Sequence, residues 1–94
     1  MNTSLRDDRP VRRPDVWLRK TDREIAVYDP LGNRIHLLND TALAIWELCD
    51  GETTPAEMIA AICELCGMHR DIVTEDVERV LSDFDELGLV LWES

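Results

Sequence analysis

One run, Leu37 to Gly51 (LLNDTALAIWELCDG), constrains the fold of this chain more than any other. Its two leucines close an extended segment, and Asn39 or Asp40 follows at once. Either side chain can accept from the orphan N–H groups at a helix start. Ala42, Ile45, Trp46 and Cys49 then fall at i, i+3, i+4 and i+7, with Leu43 and Leu48 widening the apolar face. Gly51 lies just past the end, where a left-handed residue is wanted. A strand therefore passes into a central helix without a loop, and the rest of the chain has to be arranged around that joint.

Upstream of the joint, Asp15 to Lys20 and Glu24 to Tyr28 are short runs with β-branched and aromatic residues, separated by Thr21, Asp22 and Arg23. That spacing suits a hairpin. Alternation puts Val16 and Leu18 on one face of the first strand, and Ile25 and Val27 on one face of the second. Asp29-Pro30-Leu31-Gly32-Asn33 is a turn cluster, since Pro presets φ while Gly and Asn tolerate positive values. Arg34 to Leu38 makes a third strand, with Ile35 and Leu37 opposite Arg34, His36 and Leu38. Ile35 and Leu37 are read as core residues first. A three-stranded antiparallel meander is expected.

Downstream, Thr54-Pro55-Ala56-Glu57 combines an N-cap threonine, proline at the first helical position and glutamate three residues after the cap. Met58, Ile59, Ile62, Cys63 and Cys66 form the inner face of this second helix, which Gly67 ends. Asp71 is the expected cap of a third helix, with Val73, Val77, Val80, Leu81, Phe84 and Leu87 as its buried stripe and Gly88 as its stop. Leu89 to Trp92 packs back as a short strand or tail. The expectation is one α+β domain, winged-helix-like, with a three-stranded antiparallel sheet followed by three α-helices over residues 15–94. Residues 1–14 are polar, bracketed by Pro10 and Pro14, and read as a flexible basic arm.

The net charge of −10 is unevenly spread. Residues 1–20 hold six Arg or Lys against three Asp, whereas residues 40–94 hold two Arg against fourteen acids. A helical half this acidic repels phosphate backbones, so a DNA-binding winged-helix regulator is the weaker alternative and no nucleic-acid partner is expected. The same field attracts a basic peptide. No run approaches the roughly 18–20 apolar residues that span a bilayer, and the N-terminal stretch lacks the apolar core of a signal peptide. An odd number of cysteines, three, fits a reducing compartment better than a disulfide scaffold. A cytoplasmic protein without a membrane partner is expected.

Motifs for chemistry are weak. Cys63-Glu64-Leu65-Cys66-Gly67-Met68-His69, with Cys49 as a fourth ligand, would make a small metalloprotein or an iron–sulfur site. Both helix cysteines, however, take positions that an aliphatic residue would fill, and free Cys is a common small core hydrophobe. His36 and His69 have no Ser or Asp partner in a motif, the four glycines sit at turns and helix ends, and the paired acids of the third helix belong to a helix face. No catalytic residue, metal or cofactor is assigned.

Three blocks together resemble the PqqD family, also called RiPP recognition elements. They are LLNDTALAIWELCDG, the Thr-Pro-Ala-Glu-Met-Ile helix start, and EDVERVLSDFDELGLV from Glu75 to Val90. Each is modest alone, but their order and spacing are fairly specific. The resemblance implies a non-catalytic peptide chaperone. It would hold the leader of a ribosomally made precursor as an added strand, over a groove walled by the third helix. It would present that precursor to a modifying enzyme such as a radical-SAM protein, a cyclase or a leader peptidase.

The residues agree with this reading. A third strand in a meander keeps one side unpaired unless a helix covers it, and unpaired N–H and C=O groups are a template for β-augmentation. Arg34, Ile35, His36, Leu37 and Leu38 are the candidate strand, and Asp76, Arg79, Val80 and Asp83, at the boundary of the apolar stripe, are the candidate groove residues. Asp76 and Asp83 otherwise read as solvated charges. If they line the groove, the ligand carries Lys or Arg beside its apolar anchors.

Overall fold

The computed structural model describes residues 8–93 of the chain. The elements run β1 (Arg9–Arg12), β2 (Trp17–Lys20), β3 (Ile25–Asp29), β4 (Arg34–Leu38), α1 (Asp40–Leu48), α2 (Pro55–Cys66), α3 (Arg70–Glu86) and β5 (Val90–Glu93). The meander is present as an antiparallel sheet in the order β2-β3-β4. The strand-to-helix joint is also present. Asn39 caps α1, its side chain accepting from the Ala42 N–H at 2.8 Å, one residue after β4 ends. The capping box of α2 is complete, with Glu57 reaching back to the Thr54 N–H at 2.8 Å, and Gly67 closes the helix in the left-handed region.

The core lies where the three helices meet the inner face of β3. Val27, Ile45, Trp46, Met58, Ile59, Val73, Val77, Phe84 and Leu89 are all buried. Trp46 and Phe84 meet edge to face with ring centroids 5.3 Å apart, which locks the central helix against α3. Cys49 is buried among them, and burial pushes its thiol pKa up to about 12.

Four expectations are corrected. The arm is structured from Arg9 onward; its first seven residues lie outside the described ones. β1 pairs antiparallel with β5, from Arg9 opposite Glu93 to Arg12 opposite Val90. The Pro10 carbonyl accepts from the Gly51 N–H at 2.9 Å, and the Arg12 N–H donates to Cys49 O at 3.0 Å. Pro10 tolerates this place because the strand belongs to a two-stranded ribbon. Arg13 completes the tether: its guanidinium donates to Asp15 at 2.7 Å, to Asp29 at 3.0 Å and to the Gly88 carbonyl at 2.9 Å. Those hydrogen bonds hold the Asp15 and Asp29 carboxyls below their ordinary pKa, against the opposing effect of desolvation.

The second correction concerns the cap of α3, which is His69: its Nδ1 accepts from the Asp71 N–H at 3.2 Å, leaving Asp71 in the first turn. Third, Cys66 is exposed and Cys63 half-buried, because α2 overhangs the core at its C-terminal end. Fourth, Ile35, Leu37 and Leu87 are not core residues. Each is exposed, and the reason lies in the site described next. No helix among the described residues is long and apolar enough to cross a membrane.

Candidate functional site

β4 is an edge strand: β3 pairs with one side of it, and no strand among the described residues pairs with the other. The register fixes which of its groups are free. The Thr21 N–H donates to Glu24 O at 2.8 Å, so this pair next to the hairpin turn is a hydrogen-bonded one. Bonded and non-bonded pairs alternate along an antiparallel ladder, so Arg19–Ala26 and Trp17–Tyr28 are bonded as well. Ala26 and Tyr28 thus direct their backbone groups to β2, and Ile25, Val27 and Asp29 direct theirs to β4. Their partners Leu38, His36 and Arg34 are saturated by β3. Ile35 and Leu37 point N–H and C=O out of the sheet edge, a template of two donors and two acceptors.

The same register sorts the side chains. His36 stands opposite the buried Val27, and Leu38 opposite Ile25, so these two turn inward and are half-buried. Ile35 and Leu37 turn to the opposite face and are each 66% exposed. Alternation had separated the two pairs correctly, but the more apolar pair is not the inner one.

Beside this edge runs a trough of about 410 Å³ between β4 and α3. Ala42, Val80, Phe84 and Leu89, all buried, form its floor. Ile35 to Asn39 make one wall, and Arg79, Asp83 and Leu87 the other. The α3 wall exists because positions 76, 79/80, 83 and 87 recur at three- and four-residue spacing and so share one stripe. Of the residues expected from sequence, Ile35, His36, Leu37, Leu38, Arg79, Val80 and Asp83 line the trough. Asp76 stands one turn behind and holds the Arg79 guanidinium at 3.1 Å. Arg34 sits at the turn end of β4, opposite Asp29 and away from the lining. Leu87, Phe84, Ala42, Leu89 and Asn39 also line the trough and are not among the residues expected from sequence. Leu87 was findable, since it follows Val80 by seven residues and Asp83 by four; the others were assigned to the core or to a cap.

The trough is apolar on its floor, and its lip carries the neutralised Arg79 and the exposed carboxylate of Asp83. It offers main-chain hydrogen bonds along one wall, apolar slots below, and a weakly acidic lip.

Several known proteins share this fold. The structure described as lasso peptide synthetase B1 complexed with the leader peptide superposes with a TM-score of 0.76 at 22% identity, covering 88% of this chain and 98% of that one. TbiB1 in complex with the TbiA(beta) leader peptide gives 0.73 at 21%, over 85% and 93%. The PqqD truncation of Methylobacterium extorquens PqqCD, described as a stand-alone RiPP recognition element, gives 0.72 at 20%, over 87% of each chain. These likenesses show a common fold. No curated protein matches the sequence significantly. The family described as coenzyme PQQ synthesis protein D (PqqD) matches residues 24–90, from the start of β3 through the trough to β5. With most of its length matched, and with the edge strand and trough inside the matched part, the chain belongs to the PqqD family.

Proposed function

We propose that this protein captures the leader segment of a ribosomally synthesised precursor peptide as a fourth strand on β4 and presents it to a peptide-modifying enzyme. The observation that carries the reading is the coincidence of a free backbone edge, at Ile35 and Leu37, with an apolar trough along α3. Strand addition supplies sequence-tolerant affinity, and alternate side chains entering the trough supply selectivity. The leader complexes of two fold relatives and the family membership support it. Asp83 on the lip favours a leader with Lys or Arg beside its apolar anchors. The chain itself performs no chemistry in this reading and needs neither metal nor cofactor. Its free thiols suit a reducing, cytoplasmic setting.

A fluorescently labelled leader, taken from a precursor encoded beside the protein, tests this by anisotropy. Because a disordered leader loses conformational freedom on binding, the expected Kd is on the order of 0.1–10 μM. Leu87→Glu puts a charge into the trough at an exposed position, so the fold survives and binding weakens at least tenfold. Wild-type affinity in that variant, or no binding by the wild type, overturns the proposal.

A further inference from the structure

A second surface is left unexplained by the trough. The register places Trp17, Tyr28 and Ile35 in one cross-strand row, and Arg19, Ala26 and Leu37 in the next, all on the face of the sheet turned away from Val27. Five of these six side chains are apolar or aromatic. Trp17 is 65% exposed, as exposed as Ile35 and Leu37, and it meets Tyr28 edge to face at 6.0 Å. Between them opens a shallow depression of about 450 Å³, lined by Trp17, Leu18, Arg19, Ala26, Tyr28 and Ile35. An antiparallel sheet that buries one face ordinarily carries polar residues on the other. A contiguous exposed apolar patch marks an interaction surface.

We infer that this outer face docks the modifying enzyme, through an enzyme surface that is apolar at its centre and acidic around it, and that the enzyme engages the leader-loaded protein in preference to the free one. The inference rests on the leader-capture reading above. A strand added to β4 lies in the plane of the sheet and does not cover its face. Its outward side chains instead form a further row beside Ile35 and Leu37, so the patch becomes continuous with the bound leader. Charge identifies the kind of partner. Arg19 lies within the patch and Arg23 at the hairpin turn beside it, while Lys20 and Arg34 take the alternate positions at the ends of β2 and β4. All four are exposed, none is in an ion pair among the described residues, and they outnumber the exposed acids of the hairpin, Asp22 and Glu24. The helical half, by contrast, is strongly acidic. A second copy of this chain fits less well. The patch is on the order of 500 Å² per side, below the roughly 800 Å² of a stable interface, and a symmetric pair would bring its cations together.

The test uses the full chain, a labelled leader and the purified modifying enzyme encoded in the same gene cluster. Trp17→Ser and Arg19→Glu change exposed side chains outside the trough, and circular dichroism checks that both fold. Leader affinity by anisotropy is expected within twofold of wild type. Enzyme binding to the leader-loaded protein, by interferometry, is expected to weaken at least tenfold for each variant, and to be tighter with leader than without it. Wild-type enzyme binding by both folded variants overturns the inference, as does an equal loss of leader and enzyme binding, which would make the face part of the leader site. A wild-type dimer that Trp17→Ser turns into a monomer in sedimentation would overturn it in favour of self-association. Absence of leader binding by the wild type sinks the leader reading instead, and is seen in the anisotropy arm alone.

Discussion

Proline scanning of β4 separates the free edge from the paired one. Leu37→Pro deletes an N–H that points out of the sheet, whereas His36→Pro deletes one that belongs to the β3–β4 ladder. Pro is tolerated on an edge strand when its missing donor faces solvent, so the Leu37 variant should fold and the His36 variant should lose stability. One main-chain hydrogen bond is worth about 1 kcal/mol net. The proline ring also occupies the space of the lost proton and holds the incoming strand away from the neighbouring Leu37 carbonyl, weakening a second bond. Loss of one to two such bonds is about 1–2 kcal/mol, or roughly a 5- to 30-fold rise in Kd. Leader anisotropy, paired with urea denaturation of the unliganded protein, measures both effects. If Leu37→Pro stays folded and binds leader as wild type does, the added-strand geometry is refuted. If a folded His36→Pro alone loses binding, the phase of the ladder derived from Thr21 and Glu24 is wrong.

Arg13 makes a pH prediction. It holds the Asp29 carboxyl below its ordinary pKa, so the unfolded chain takes up the proton first on acidification. The stabilisation is present above the ordinary carboxylate range and is lost as pH falls through the depressed folded value. Arg13→Ala should therefore lower the urea midpoint at neutral pH and flatten the decline below about pH 4; an unchanged acid limb would refute this. Phe84→Ala empties a buried site against Trp46 and should cost about 3–5 kcal/mol in chemical denaturation. Iodoacetamide at mild alkaline pH should label exposed Cys66 rapidly and leave Cys49 unmodified until urea unfolds the chain, as read by mass spectrometry.

Local signals were read from the chain with few errors, because their partners lie within a few residues. Thr54 and Glu57 form their capping box three residues apart, and Asn39 caps α1 through Ala42. The hairpin spacing, the Asp29–Asn33 turn and the stripe of α3 up to Phe84 are likewise short-range patterns. Failures began where the partner was distant. Arg9-Pro10-Val11-Arg12 has little strand character of its own and extends because β5, at the other end of the chain, pairs with it. The His69 cap is a local miss, since imidazole is not a usual capping group.

The site shows the same division. Alternation along Arg34–Leu38 and the spacing of Asp76, Arg79, Val80 and Asp83 mark a strand and a helix stripe, because periodicity is a property of the backbone alone. Which side of that strand faces the core does not follow from the hydrophobicity of its residues. Ile35 and Leu37 are more apolar than His36, yet they lie outside, because pairing with β3 aligns His36 with Val27, and Val27 is held in the core by the helices. Registry with a neighbouring strand is a long-range property, and here it overrules the preference of individual side chains. That one choice sets the free edge, the lining of the trough and the apolar outer face together.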